Sequence, residues 1–538
     1  MPKMNIQACK TKSEVLNKIN RLSGLDIFLE VLLILCSKNL NHYSDELSTR
    51  NNRSLLNINE LSLLFGFWLK NKNKNCSGIY SVNELCELLH SLMDRLHQTF
   101  LPDYSNINFE ELMLTGDFLQ ETIFYSGTGA YDYQYVKFAI KEYQLDNEWL
   151  ISNKEIDINS LLPFYSFFKG NFHYKLNYTN LSTASSELYK YSKNSYIFEK
   201  YPEFKKILSA FSIKEKEILN QDFSTIGDQN EFNFRPILEY HSYYLIPIPF
   251  LLSQALNKSP YYWLTNDEKY KTTSLTNRGK CAENIVFNLL KNKYGTSILQ
   301  NVLVKINKTK TITDLDVCIV FNEILIIFQI KSKKLTQLSK QGDVNQIKND
   351  FKSAVTDAYE QANKAVNPIL NKSCKLYDKE NRIIADTSNI TEIYTVCILL
   401  DDYPPITSHT RIFNEKKDHI PIAISIYDLE ICIEYLPNLE SFIDYIKKRT
   451  KNSKYFRAET ELSLLNFYLN NNLNQLENAD GVLLDNDFAL QFDDDYYKKL
   501  IFENENNFDF FVQGIKESDY CFCGSGSKFK DCCLQYTV

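Results

Sequence analysis

The segment from Asp314 to Lys334 constrains the fold of this chain more than any other part of the sequence. It reads DLDVCIVFNEILIIFQIKSKK, two runs of β-favouring apolar residues on either side of Asn322 and Glu323. This pattern predicts two antiparallel strands joined by a two-residue turn, with Phe321 opposite Ile324. Because apolar residues occupy both faces of the strands, we expect helices to cover the hairpin on both sides.

Three polar side chains meet at the open end of the predicted hairpin. Counting back from the turn places Asp316 opposite Gln329 on the same face, about 5 Å away. Side chains alternate along a strand, so Lys331 lies on that face as well. Burial of these groups without partners would cost several kcal/mol. The sequence therefore predicts either a structural Asp–Lys pair or a metal site at this end of the hairpin.

A helix precedes the hairpin and carries a further carboxylate. Apolar residues recur at helical spacing from Ala282 to Leu290, and Gly295 follows as a stop signal. Glu283 flanks the apolar face of this helix, so its side chain can reach the sheet. As an acid in a first helical turn, it could also serve only the helix dipole.

These residues resemble the core of the PD-(D/E)xK nuclease superfamily, in which a helix carries an acidic residue, a strand carries a metal-binding Asp and the next strand ends in (D/E)xK. Glu283, Asp316 and the sequence Gln329-Ile330-Lys331 match those positions. The amide of Gln329 departs from the usual acid and resembles the QxK form of Mrr-like restriction nucleases. The resemblance covers roughly residues 261–450, including a long helix and two strands downstream of the hairpin.

The resemblance implies metal-dependent hydrolysis of phosphodiester bonds in nucleic acid, with DNA favoured over RNA. Asp316, Gln329 and the backbone carbonyl of Ile330 would bind Mg²⁺ or Mn²⁺. Glu283 would hold a metal-bound water or a second ion, and Lys331 would orient the nucleophile or offset negative charge. Two further polar residues are expected to be accessory to the site, namely Asp314 and Gln361.

The charge of the chain is unevenly distributed. The net charge is −7, yet residues 271–370 contain 15 basic and 8 acidic residues. Lysines surround the predicted site and could contact phosphates, which would make binding sensitive to salt; an ordinary solvated lysine face is the alternative. The lysines expected to contact nucleic acid are Lys308, Lys310, Lys333 and Lys334.

The last residues of the chain contain four cysteines around a Gly-Ser-Gly turn, CFCGSGSKFKDCC. Thiolates are preferred zinc ligands, and a short chain can wrap one ion only through a tight turn, which the glycines permit. The pattern is similar to the SEC-C zinc-binding motif, so Zn²⁺ is the expected metal. A redox-active or disulfide-bonded tail is the alternative. The expected ligands are Cys521, Cys523, Cys532 and Cys533.

Length and patterning predict several domains in the 538 residues. The expected fold class is α/β: a mixed-sheet, restriction-endonuclease-like core at 256–450, a mostly α-helical N-terminal domain at 1–255 for sensing or partner binding, a helical and acidic connector at 451–515, and a zinc motif at 516–538. Helix caps are predicted at Ser13, Asn57 and Ser81. The acidic connector could repel nucleic acid, mask the site or keep a linker soluble.

The leading hypothesis is a cytoplasmic nuclease that could act in defence against foreign nucleic acid. The scattered cysteines suit a reducing compartment, the apolar runs are too short for a membrane span, and the chain opens without a signal-peptide pattern. The alternative is a catalytically weak scaffold that binds nucleic acid or protein. The zinc tail or the helical N-terminal half would then recruit a protein partner.

Overall fold

The structure is a computed structural model that describes residues 9–40, 55–74, 76–100, 114–125, 129–178, 190–401, 410, 421–458, 460–473, 482–496 and 510–536. The chain forms two compact units. The first unit comprises Met1–Ser105, Tyr131–Ser274 and Asp493–Val538, and the second comprises Asn106–Ala130 and Leu275–Phe492. The four predicted domains were contiguous in sequence, whereas each unit gathers separate stretches of chain. The C-terminal cysteine motif therefore lies within the unit that contains the N-terminal helices.

Helices are found in both units, where amphipathic sequences favour them and capping residues mark several of their ends. The α-helices of the described residues are α1 (Lys12–Leu22), α2 (Phe28–Leu40), α3 (Ile58–Asn71), α4 (Val82–Gln98), α5 (Gly116–Tyr125), α6 (Asp132–Glu142), α7 (Asn147–Lys154), α8 (Leu161–Tyr178), α9 (Tyr196–Lys200), α10 (Pro202–Ala210), α11 (Pro249–Asn266), α12 (Lys271–Tyr294), α13 (Gln337–Lys340), α14 (Val344–Phe351), α15 (Asp357–Leu370), α16 (Ile426–Tyr435), α17 (Leu439–Lys451) and α18 (Glu461–Asn471).

Two of the three predicted helix caps are confirmed. Asn57 and Ser81 each accept a hydrogen bond from the backbone of the third helical residue and complete a capping box. The prediction that Ser13 caps α1 is wrong. Thr11 caps α1, because its side chain and the carboxylate of Glu14 exchange hydrogen bonds with each other's backbone, which leaves Ser13 inside the helix.

Within the described residues, the strands form one sheet in the first unit and two in the second. They are β1 (Lys190–Ser192), β2 (Ser212–Lys214), β3 (Ile237–Glu239), β4 (Tyr243–Leu245), β5 (Ile298–Asn307), β6 (Lys310–Phe321), β7 (Ile324–Lys331), β8 (Lys375–Tyr377), β9 (Ile383–Ala385), β10 (Glu392–Leu399), β11 (Ile422–Ser425), β12 (Phe456–Ala458) and β13 (Val482–Leu484). The strand orders are β1-β4-β3-β2, β11-β10-β7-β6-β5-β8-β9 and β12-β13.

The first unit has an aromatic core packed around its small sheet. Buried rings from α8, α10 and β4 belong to one apolar cluster, which also contains three of the four C-terminal cysteines. Asp493, the first of three consecutive aspartates in the predicted acidic connector, is buried here and accepts a hydrogen bond of 2.7 Å from the Tyr131 hydroxyl. This aspartate is therefore part of the packed structure. The rest of the predicted connector includes residues 474–481 and 497–509, which lie outside the described residues.

The second unit is built on the seven-stranded mixed sheet. The predicted hairpin is confirmed: β6 and β7 pair antiparallel from Phe321 and Ile324 down to Val317 and Phe328. Asn322 begins the turn with φ +53°, a left-handed conformation that Asn tolerates. The apolar residues of the hairpin are buried on both faces. Strands β10 and β11 extend the sheet in parallel with β7, so that β7, β10 and β11 end at one edge.

A long helical segment follows the hairpin and packs on the sheet. Helices α14 and α15 are joined by one π-helical turn, Lys352–Thr356, so the helical path runs from Val344 to Leu370. Buried alanines of α15 share an apolar cluster with residues of β5, β6 and β7. A π turn inserts one residue per turn and so changes which side chains of the following helix face the sheet. Gln361 lies on α15 beyond this turn.

The chain is thus a mixed α/β protein with an N-terminal helical region, a mixed sheet and a C-terminal cysteine cluster. In the described part of the chain, no helix combines the length and the apolar character needed to cross a membrane.

Candidate functional site

The candidate site lies where β6 and β7 part. The backbone ladder between them ends at Val317 and Phe328, and side chains then replace it. The Asp316 carboxylate accepts a 2.8 Å hydrogen bond from the backbone N–H of Ile330, and the Gln329 amide nitrogen donates a 2.9 Å bond to the carbonyl of Asp314. Asp316 and Gln329, the next residues beyond Val317 and Phe328, therefore join the two strands through their side chains. The predicted register places these two residues opposite each other.

The amide of Gln329 has an unpaired oxygen. Gln329 is only 1% exposed, and its Oε1 accepts no hydrogen bond from any residue that the structure describes. Its orientation follows from its neighbour: a backbone carbonyl can only accept, so the NH₂ group must face Asp314 and the oxygen must face away. A buried acceptor without a donor costs about 1–3 kcal/mol. This oxygen is therefore suited to a cation or another electron-poor group.

Gln361 connects the other predicted accessory residue, Asp314, to Lys331. Its Oε1 accepts a 3.2 Å hydrogen bond from Lys331 Nζ, and its Nε2 donates a 3.1 Å bond to Asp314 Oδ1. The backbone carbonyl of Gln361 also accepts a bond from the Thr313 hydroxyl. Because α15 is anchored to β6 in this way, the ammonium group of Lys331 is held at a defined place beside the parted strands.

Burial and mutual repulsion perturb the carboxylates of the site. The pKa of Asp316 is raised to about 7, mainly by burial and to a smaller extent by the charges of Glu283 and Asp314, whereas the Ile330 N–H and Lys331 act to lower it. Burial also raises the pKa of Glu283, with an added contribution from Asp314. Like charges gathered in a partly buried site disfavour ionisation of each other. A bound cation would reverse this effect.

The donor set fits a hard divalent ion, although the carboxylates are not closely clustered. Asp316, Gln329 and Glu283 offer oxygen atoms, which Mg²⁺ and Mn²⁺ prefer. Among the described residues, the four C-terminal cysteines form a group whose ligand atoms all lie within 4.8 Å of one another. The carboxylates of the candidate site do not form such a group. Ile330 uses its N–H on Asp316, and its carbonyl is the predicted fourth oxygen.

The predicted phosphate-binding lysines divide into two groups. Lys308 and Lys310 are exposed at the β5–β6 turn. Lys334 is instead 2.7 Å from Asp401, which also binds Arg278 at 2.7 Å. Together, Arg278 and Lys334 overcome the effect of burial and lower the pKa of Asp401 to about 2. The Lys334 ammonium is thus committed to a buried ion pair, which argues against its predicted phosphate contact.

Lys333 is also partly engaged. Its Nζ lies 3.5 Å from Asp350, a buried carboxylate that accepts hydrogen bonds from Thr336 and Ser339. The sequence interpretation did not single out Arg278, Asp350 or Asp401. They hold the chain that follows β7, and Arg278 Nη1 also donates to the Ser332 carbonyl at 3.0 Å. The sequence feature that could have identified these three residues is a charged side chain within or next to an apolar segment.

The four C-terminal cysteines form a compact cluster that can hold a metal ion such as zinc. All four Sγ atoms lie within 4.8 Å of one another, with 3.5 Å between Cys523 and Cys532 and 3.8 Å between Cys532 and Cys533. Zn–S bonds of about 2.3 Å in a tetrahedron place the sulfurs about 3.8 Å apart. A disulfide requires about 2.05 Å. No disulfide joins any of the 13 cysteines, all of which lie in the described residues, and this contradicts the alternative of a disulfide-bonded tail.

The cysteine motif is docked on the first unit by backbone contacts. Gly524 has φ +80°, and a Cβ at this position would lie 2.8 Å from the Cα of Tyr191, so only glycine fits. The Gly524 carbonyl accepts a 2.8 Å bond from the N–H of Ser192 on β1. Asn171 of α8 donates to the carbonyl of Phe522, and Ser195 donates to that of Cys521. The cluster therefore cross-links the tail to β1 and α8.

Comparison with models of known protein families gives no match for this chain. Comparison with curated proteins gives none either, and no solved structure matches. The function must therefore be inferred from the geometry of the two sites.

Replacement of Asp316 by Asn is expected to stabilise the metal-free protein at pH 8 by roughly 4 kcal/mol and to have little effect at pH 4. The folded-state pKa of about 7 lies above the ordinary value of about 3.9. Between these values the folded protein holds a proton that the unfolded chain has lost, so this carboxylate lowers stability as pH rises from about 4 to about 7, and its effect is constant above that range. Thermal denaturation in EDTA at both pH values measures the effect.

Glu323→Gln, in the exposed turn of the same hairpin, is the control for this pair of measurements. An Asn variant that shows the same stability difference at pH 4 and pH 8 would contradict the raised pKa.

Proposed function

We propose that this protein is a metal-dependent nuclease that hydrolyses phosphodiester bonds in nucleic acid, with DNA favoured, at the site where β6 and β7 part. The observation that carries the proposal is the buried, unpaired oxygen of Gln329 beside the Asp316 carboxylate, whose pKa is raised to about 7. A fold retains such an arrangement at a cost in stability. That cost is recovered when both oxygens bind a divalent cation.

Each residue of the site has a role in this proposal. A bound Mg²⁺ or Mn²⁺ would supply Lewis acidity at the phosphate and an activated water. Asp316 and Gln329, which come from two strands, would hold the ion with their oxygen atoms, and Glu283 would hold a metal-bound water or a second ion. Lys331, positioned by Gln361, offsets the charge that develops on the phosphate. Asp314 keeps Gln361 in place.

The test is cleavage of plasmid DNA, single-stranded DNA and RNA with Mg²⁺, with Mn²⁺ and with EDTA. We expect cleavage only with a metal, and we expect Asp316→Ala and Lys331→Ala each to reduce kcat by about 100-fold or more, because each removes charge stabilisation from the reacting phosphate. Lys293→Ala, an exposed lysine at the far end of α12, is the matched control and should cleave like the wild type.

Two results would contradict the nuclease proposal. One is that no substrate is cleaved with either metal by a folded protein. The other is cleavage that survives both substitutions, because a contaminating nuclease would behave in this way.

Gln329→Glu tests the amide directly. A carboxylate at this position adds a charged ligand, so the Mg²⁺ concentration for half-maximal cleavage should fall by about tenfold. The same change adds a fourth acid to Glu283, Asp314 and Asp316, and the metal-free protein should therefore unfold at a lower temperature. Gln329→Ala should weaken metal binding. Equal metal dependence in the wild type and both variants would show that residue 329 is not a ligand.

A second candidate function is a catalytically weak scaffold that binds nucleic acid without cleaving it. The specific observation in its favour is the neutral amide at Gln329, which contributes no charge to a site whose carboxylates do not form a group of three ligand atoms within 4.8 Å of one another. In the same cleavage assay, metal-dependent binding without hydrolysis by the wild type, together with cleavage by Gln329→Glu, would favour this function.

We also propose that the cysteine cluster binds Zn²⁺ and stabilises the first unit. We expect about one zinc ion per chain, because four thiolates at tetrahedral spacing satisfy one ion. Cys532→Ser should lose the zinc and unfold at a lower temperature, since the cluster cross-links the tail to β1 and α8. Metal analysis and thermal denaturation measure both effects.

The exposed Cys76, outside this cluster, supplies the control Cys76→Ser, which should retain the metal. Full zinc occupancy in Cys532→Ser would contradict the assignment of the ligands.

A further inference from the structure

The turn between β8 and β9 brings a lysine to the level of the candidate site. Tyr377 of β8 pairs with Leu303 of β5, and Leu303 pairs with Asp314 of β6. These three residues therefore form one row across the sheet, which places Tyr377 about 10 Å from Asp314. Strand β8 runs in the same direction as β6, because each is antiparallel to β5. The chain beyond Tyr377 thus advances from the level of Asp314 toward that of Asp316.

Lys379 lies two residues beyond Tyr377, where this chain turns. Its side chain is exposed, and a lysine extends about 6 Å from its Cα. Among charged groups, Lys379 has the largest influence on Glu283, ahead of Asp314 and Lys331, and it acts to lower the pKa of that carboxyl. The row across the sheet and this electrostatic interaction independently place Lys379 beside the site.

The neighbouring acids do not neutralise this lysine. Asp378 and Glu380 flank it in sequence, yet both bind Arg382, at 2.6 Å and 3.0 Å. Lys379 makes no ion pair of 4 Å or less with a residue in the described ranges. An exposed positive charge near a candidate metal site is suited to a phosphate of a bound nucleic acid.

We propose that Lys379 binds a backbone phosphate of the nucleic acid next to the phosphodiester that is cleaved. This inference rests on the proposed nuclease function and extends it, because it assigns part of the substrate-binding surface to the β8–β9 turn. The contact is to the sugar–phosphate backbone, so it supports binding without reading the base sequence. Lys379 is a binding residue of the exposed surface and takes no part in the bond-breaking step.

The test is steady-state cleavage of one labelled DNA oligonucleotide by the full-length protein over a series of KCl concentrations. Lys379→Ala should raise KM by about fivefold and leave kcat within about twofold, and Lys379→Arg should restore KM. The dependence of log KM on log salt should become shallower by about 0.7–0.9, the contribution of one phosphate contact. Oligonucleotides of different sequence should show the same ratio of wild-type to variant KM.

Lys293→Ala again serves as the matched exposed lysine, and it should alter neither KM nor the salt dependence. If Lys379→Ala has a wild-type KM and salt dependence while Asp316→Ala abolishes cleavage, the inference is overturned and the nuclease function stands. A shifted pH profile with an unchanged KM would also overturn it, because Lys379 would then act only through Glu283. A wild-type protein that neither binds nor cleaves nucleic acid would overturn the proposed function and this inference together.

Discussion

The candidate site of the second unit depends on how the two strands of the β6–β7 hairpin separate. Up to Val317 and Phe328, β6 and β7 are joined by backbone hydrogen bonds. Beyond that point, Asp316 accepts the N–H of Ile330, and Gln329 donates to the carbonyl of Asp314. These two bonds satisfy backbone groups that the parted strands would otherwise leave unpaired. They also fix the directions of a carboxylate and an amide oxygen, which is why the candidate site lies at this place.

The residues around the end of the β6–β7 hairpin determine the chemical properties of Asp316, Gln329 and Lys331. Apolar residues bury the hairpin on both faces and raise the pKa of Asp316. Helix α15 contributes Gln361, which restrains Lys331, and α12 contributes Glu283. The buried pair of Arg278 and Asp401 holds the chain just after β7. Asp316, Lys331 and Gln361 are therefore tolerated here because each is hydrogen-bonded to a neighbouring element, whereas the amide oxygen of Gln329 has no partner among the described residues.

The hairpin, its turn and its register could be predicted from the sequence, because a two-residue turn and the period of two determine which residues face each other. The cysteine cluster could be predicted for a similar reason, since its four ligands lie within thirteen residues. Contacts between distant residues could not. Arg278 and Asp401 are 123 residues apart, and no local pattern relates them. The commitment of Lys334 to Asp401 and the position of Lys379 are consequences of the same tertiary packing.

The arrangement of the units was also beyond local patterns. Sequence patterning suggests contiguous domains, whereas the cysteine motif lies within the unit of the N-terminal helices because its glycine turn packs on β1. The central claim concerns the other unit, and the most direct measurement is Mn²⁺ binding by electron paramagnetic resonance on the zinc-loaded, full-length protein. We predict at least one bound Mn²⁺ per chain, lost in Asp316→Asn and weakened in Gln329→Ala. Mn²⁺ binding that is absent, or equal in all three proteins, would contradict the account.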